Sequence, residues 1–66
     1  MKSFSEAAAR LWSKDHVRQV LDTVRKDIQD LQFDLEQETR PYNRGIMREK
    51  LDDLREERDF LEDLLK

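Results

Sequence analysis

Apolar side chains recur along this chain in alternating steps of four and three residues. One run begins at Val17 and the second at Met47. Such steps keep successive side chains on one face of an α-helix, in the pattern of heptad positions a and d. The two runs therefore predict two amphipathic helices. Their predicted buried faces are Val17, Leu21, Val24, Ile28, Leu31 and Leu35, and Met47, Leu51, Leu54, Arg58, Leu61 and Leu65.

The only proline and the only glycine, Pro41 and Gly45, lie between these runs. Proline cannot continue a helical hydrogen-bond pattern and disfavours helical backbone in the residue before it. We therefore expect a long helix at about 14–39, a turn at about 40–44 and a second long helix at about 45–65. Asn43 is one candidate N-cap of the second helix, and a start with Pro41 in its first turn is the alternative.

The first dozen residues predict a weaker, short helix at about 4–12, with Ser5 as its N-cap and with Phe4 and Leu11 on one face. Ser13 resembles a second helix start, so the pattern leaves open whether the chain breaks there or continues as one helix. The predicted fold class is all-α: an antiparallel helical hairpin with a short N-terminal helix.

The chain has 66 residues, of which 44% are charged, and it has no cysteine. A chain of this length buries only about 60% of its unfolded surface, so its own core is marginal without disulfides, metals or partners. We therefore expect a homodimer in which two hairpins form a four-helix bundle. The two heptad faces, Arg58 included, are the residues predicted to mediate self-association.

Arg58 is the one charged side chain on these faces. A hairpin folded near residue 41 places Asp27 opposite Glu57, and Arg25 opposite Arg55, which are two contacts between like charges. Arg58 could relieve the first by reaching Asp27 and Glu57, or the basic edge of a second hairpin could lie against this acidic edge. The alternative is that Arg58 only extends into solvent and specifies nothing.

Several large apolar residues fall outside the heptad faces, and one hairpin cannot bury all of them. They are Trp12, Phe33, Tyr42, Ile46 and Phe60. These residues predict a binding surface for a protein partner. The alternative is that the N-terminal helix folds back over them, since single exposed aromatics need no special explanation.

The turn is locally basic, with Arg40, Arg44 and Arg48 beside Tyr42. Arginine and an aromatic ring together can bind phosphate and unpaired bases, so contact with RNA or DNA is an alternative function. The structural alternative pairs Arg40 with Glu36 and places basic groups at the helix C-terminus. The net charge of −3 argues against general nucleic-acid binding.

The segment 52–63 carries seven acidic residues against two arginines. The ordinary explanation is a helix face exposed to solvent. The more specific alternative is an acidic surface that binds a basic partner.

Catalysis is not expected, because the single histidine and the absence of cysteine leave no nucleophile–base pair. We also expect no metal, no cofactor and no membrane span. We expect a cytoplasmic location. The sequence thus favours a small non-enzymatic interaction or oligomerisation module, with a regulator or inhibitor of a larger protein as one form. The alternative remains a nucleic-acid-binding hairpin.

Overall fold

The computed structural model describes residues 4–66 and contains helices but no β-strand within that range. The three helices are α1 (Glu6–Ala9), α2 (Lys14–Gln37) and α3 (Pro41–Leu64). The long helices, α2 and α3, have 24 residues each and pack against one another. The all-helical class and the pair of long helices predicted from the sequence are therefore confirmed.

Two serines set the starts of the first two helices. Ser5 Oγ accepts a hydrogen bond from the Ala8 backbone N–H at 3.4 Å, and Ser13 Oγ accepts one from His16 at 3.2 Å. Ser13 has extended backbone angles, so the chain breaks between α1 and α2. Because α1 ends before this break, Leu11 does not lie on a buried face and is 88% exposed.

The connection between the long helices is shorter than predicted. α2 ends at Gln37 rather than near residue 39, and residues 38–40 form the whole connection. α3 begins at Pro41 rather than near residue 45, and Arg40 is its N-cap residue. Proline suits the first helical turn because the backbone N–H it lacks would have no helical acceptor there. The start at Pro41 is therefore the correct alternative, and Asn43 lies inside the helix.

The core lies along the contact between α2 and α3. Seven side chains from the two heptad faces are at most 9% exposed. They are Val17, Leu21, Val24, Ile28, Leu51, Leu54 and Leu61. Leu31, Leu35 and Leu65 pack against them while staying partly exposed, and Met47 is also half-buried. The heptad residues thus form the interior of a single hairpin.

The prediction that Arg58 completes the buried face of α3 is wrong. Glu57 occupies that place and is 2% exposed, whereas the Arg58 side chain is 34% exposed. Positions 57 and 58 flank the line from Leu54 to Leu61 on opposite sides. The N-terminal segment packs on Phe60, which lies one turn after Glu57.

The charged side chains show how the long helices are aligned. Arg25 Nη2 lies 3.5 Å from Glu62 Oε2, so Arg25 meets an opposite charge on α3 and not Arg55 as predicted. Arg58 Nε lies 3.5 Å from Glu62 Oε1. The expected contact of Arg58 with Asp27 does not form, because Arg58 lies on the side of the hairpin that carries Arg25.

Candidate interaction surface

A network of charged groups closes the turn between α2 and α3. The Arg40 guanidinium donates to the Glu38 carboxylate from Nε at 3.0 Å and from Nη2 at 3.2 Å, and the Arg40 backbone N–H donates to it at 3.0 Å. These hydrogen bonds, first those of the side chain, lower the pKa of Glu38 from 4.5 to about 2. Arg40 therefore pairs with Glu38 and not with Glu36 as suggested from the sequence.

Arg44 joins the first turn of α3 to the end of α2. Its Nη1 donates to the backbone carbonyl of Leu35 at 2.9 Å and to that of Glu38 at 2.8 Å. The last carbonyls of a helix have no partners within the helix and carry partial negative charge, so a cation stabilises them. Arg44 thus performs the helix-end role considered above for the basic residues of the turn.

The four residues considered for RNA or DNA contact differ in their surroundings. Arg40 and Arg44 donate hydrogen bonds within the chain, as described above. Tyr42 is 79% exposed, and Arg48 is exposed one and a half turns further along α3. Arg40 keeps 74% of its side chain exposed while it pairs with Glu38, and Arg44 is half-buried. Tyr42 and Arg48 are the other members of this group that face solvent.

The N-terminal segment covers two of the five apolar residues outside the heptad faces. The Phe4 ring centroid lies 5.4 Å from that of Trp12 and 6.0 Å from that of Phe60. The Arg10 guanidinium lies over the Phe60 ring at 5.6 Å from its centroid. Aromatic pairs and cation–π contacts add to the stabilisation from buried area. Trp12 and Phe60 therefore belong to the internal packing, as the fold-back alternative predicted.

The other three of these apolar residues stay exposed: Phe33 by 62%, Tyr42 by 79% and Ile46 by 50%. Tyr42 and Ile46 are four residues apart and so share one flank of α3. Phe33 lies on the side of α2 away from the core, two residues from each of Leu31 and Leu35. Of the five residues predicted to bind a partner, two thus pack with the N-terminal segment and three face solvent.

The packed helices leave a groove on each side of the hairpin. We call one the acidic groove. It is lined by the charged residues Asp27, Asp30, Asp34, Lys50, Asp53 and Glu57, over an apolar floor of Val20, Val24, Leu31 and Leu54. Five of its six charged side chains are acidic. The sequence did not predict this groove, because the groove depends on how α2 and α3 are aligned.

We call the groove on the opposite side the mixed-charge groove. Leu21, Leu35, Leu51 and Leu65 form its apolar part. Three of its four arginines pair with carboxylates: Arg18 lies 3.0 Å from Asp15, Arg25 3.5 Å from Glu62, and Arg55 3.8 Å from Asp52. Charges of both signs therefore alternate along this side.

The acidic segment 52–63 does not form one continuous acidic face. Glu57 is buried, and Asp53 lines the acidic groove. Asp59 lies 3.1 Å from Arg58, and Asp63 lies 3.1 Å from Lys66. Much of this segment is therefore neutralised by basic groups close to it.

Comparisons of the chain with models of protein families, with curated proteins and with solved structures found no match. Within residues 4–66, no helix has an apolar stretch that could cross a bilayer. The same residues contain no group of three or more histidine, cysteine, aspartate or glutamate side chains placed to hold a metal ion. Function must therefore be inferred from the surface of the hairpin.

Proposed function

We propose that this chain is a small, non-enzymatic protein–protein interaction module. The observation that carries the proposal is the exposed apolar surface at Tyr42 and Ile46, together with Phe33 on α2. Each of the three exposes at least half of its surface, although the N-terminal segment covers Trp12 and Phe60. Tyr42 and Ile46 adjoin on one flank of α3, whereas Phe33 is exposed separately on the far side of α2. Adjoining exposed apolar groups mark binding sites, and tyrosine is enriched among the residues that dominate binding energy.

Photo-cross-linking in cells that produce the chain tests this proposal. A photoreactive phenylalanine analogue replaces Tyr42 in one variant and Phe33 in another, since both sites accept a ring without disturbing the core. We expect a discrete cross-linked adduct from position 42. The matched control carries the analogue at Gln19, an exposed polar position of α2 that is fourteen residues, or about 21 Å, from Phe33. Equal labelling from Gln19 and Tyr42, or no adduct at either Tyr42 or Phe33, would contradict the proposal.

A homodimer built as a four-helix bundle is a second form of the proposal, supported by the mixed-charge groove. In a two-fold interface a surface meets its own copy, so charges of both signs can pair across it. Arg25 and Glu62 supply both signs beside the half-buried Leu65, and the half-buried Leu35 lies further along the same side. A second copy would also add buried surface to a short chain.

Sedimentation equilibrium tests the homodimer. The native chain should have a mass near twice its 8.0 kDa, and Leu65→Lys should return it to the mass of one chain. Ile46→Lys adds the same charge outside the mixed-charge groove and should leave the dimer intact. Circular dichroism establishes that both variants remain helical. A native chain that stays monomeric at tens of micromolar contradicts the dimer.

Nucleic-acid binding at the turn remains the alternative, with less support because Arg40 and Arg44 donate hydrogen bonds within the chain. An electrophoretic titration with RNA and DNA at two salt concentrations tests it. A shift that weakens steeply with salt and disappears in a Tyr42→Ala/Arg48→Ala variant would support this function. The absence of a shift at low salt would eliminate it.

A further inference from the structure

We infer that the acidic groove binds a basic amphipathic helix of a partner protein. The inference rests on the proposed function and specifies the class of partner. Ile46 lies one helical turn before Lys50, which lines the groove, so the exposed apolar flank of α3 continues into it. A partner helix in the groove would therefore also reach the exposed side chain of Ile46.

The apolar floor of the groove is long enough for several turns of a helix. Val20 and Leu31 are half-buried, and Val24 and Leu54 lie beneath them. From Val20 to Asp34 the groove follows fourteen residues of α2, which is about 21 Å of helix or four turns. A helix that lies along such a floor buries side chains at spacings of three, four and seven residues.

The acidic rim determines the charge of the partner. Asp27, Asp30 and Asp34 stand three and four residues apart on α2, and none forms an ion pair or a side-chain hydrogen bond with any residue in 4–66. Like charges at this spacing repel and destabilise the free helix. Lysine or arginine residues that flank the apolar stripe of a partner helix would remove this repulsion, as charges beside a coiled-coil seam do.

A second copy of this chain does not fit the acidic groove. Two-fold pairing of two such grooves would place Asp27 and Asp34 against acidic side chains of the other copy. The arginines that could oppose them, such as Arg25 and Arg55, line the opposite side of the hairpin. Contact between opposite sides is heterologous and does not close into a dimer. The charge of the groove therefore favours a different, basic chain.

Titration with designed helical peptides tests this inference on the full chain. The probe is a labelled peptide about 18 residues long, five turns of helix, with leucine at heptad positions a and d and lysine beside them. We expect saturable binding by fluorescence anisotropy and amide shift changes in ¹⁵N-labelled protein at residues 20–34 and 46–54. A peptide of the same length with glutamate in place of lysine should not bind.

Two charge-matched variants locate the contact. Asp27→Asn/Asp34→Asn should weaken binding of the lysine peptide about tenfold, through the loss of two ion pairs. Asp22→Asn/Asp52→Asn removes the same charge from the other side of the hairpin and should change the affinity by less than about twofold. Asparagine replaces aspartate at exposed positions, so all four substitutions should leave the hairpin folded, which circular dichroism verifies.

Four results would overturn the inference. They are no binding of the lysine peptide, equal binding of the lysine and glutamate peptides, equal weakening by the two double variants, and shift changes confined to the mixed-charge groove. None of these results contradicts the proposal of an interaction module, because cross-linking from position 42 tests that proposal separately. An adduct at Tyr42 without peptide binding would support the interaction module and exclude a basic helix as its partner.

Discussion

Arg44, in the first turn of α3, donates a 2.9 Å hydrogen bond to the backbone carbonyl of Leu35 near the end of α2. The same Nη1 donates to the carbonyl of Glu38. One guanidinium therefore satisfies two helix-end acceptors that α2 cannot satisfy itself. It lies within reach because α3 begins at Pro41, directly after a connection of three residues.

Replacing Arg44 by alanine should lower the free energy of unfolding by about 1–3 kcal/mol, because two half-buried carbonyls lose a charged donor. Arg48→Ala removes the same charge and the same side chain from an exposed position and should change stability by less than about 0.5 kcal/mol. Urea unfolding followed by circular dichroism measures both. Equal losses would mean that Arg44 acts only through its net charge.

Replacing Leu61 by alanine should cost about 2–5 kcal/mol, because Leu61 is fully buried between the helices and the substitution leaves a cavity. Leu11→Ala is the matched control, since this side chain is 88% exposed, and it should have almost no effect. Leu54→Ala should behave like Leu61→Ala. If Leu61→Ala and Leu11→Ala unfold at the same urea concentration, the core is not where the structure places it.

The pKa of Glu38 gives the turn a pH dependence. Its carboxyl titrates at about 2 in the folded chain, below the ordinary 4.5. The folded state therefore favours the ionised form, and this contribution to stability is complete above about pH 4.5 and is lost as the pH falls to about 2.

Carboxyl ¹³C NMR across this pH range checks the shift directly. Arg40→Gln removes the main hydrogen-bond donor and should move the Glu38 pKa back towards 4.5. Arg48→Gln, which removes a charge from an exposed site further along α3, should leave it low. A Glu38 that titrates normally in the native chain would contradict the network at the turn.

A double-mutant cycle tests the alignment of the helices. Arg25→Ala and Glu62→Ala should show a favourable coupling of about 0.2–1 kcal/mol that weakens with salt, as is usual for exposed ion pairs. The same cycle with Arg25 and Arg55 should give a coupling near zero. A repulsive coupling between the two arginines would instead support the alignment expected from the sequence.

The sequence was sufficient for the helices and most of the core, because a heptad pattern depends only on local spacing. The segment from Val17 to Ile28 shows this, since every residue that the pattern selects there is buried, as are Leu51, Leu54 and Leu61. It could not choose between Glu57 and Arg58, which flank the same line of leucines. Both positions fit the local spacing, and contacts between distant parts of the chain, such as that of Phe4 with Phe60, cannot be read from that spacing.

The candidate site was less predictable than the core. Trp12 and Tyr42 are equally conspicuous in the sequence, yet the N-terminal segment covers only the first. The spacing of Asp27 and Asp34 is visible in the sequence, but the groove they line exists only once α3 is aligned beside α2. The turn was also locally ambiguous, because both Pro41 and Asn43 satisfy the rules for helix starts.

The two hydrogen bonds that Arg44 donates to the end of α2 bear on the order of folding. They join residues only six and nine positions apart in the chain, and loops of about ten residues close in roughly 10–100 ns. Association of the helices should therefore nucleate at the turn and proceed towards Arg25 and Glu62. The N-terminal segment would dock last, because it packs on Phe60 only after α2 and α3 have associated. The fluorescence of Trp12 would therefore report the slowest kinetic phase.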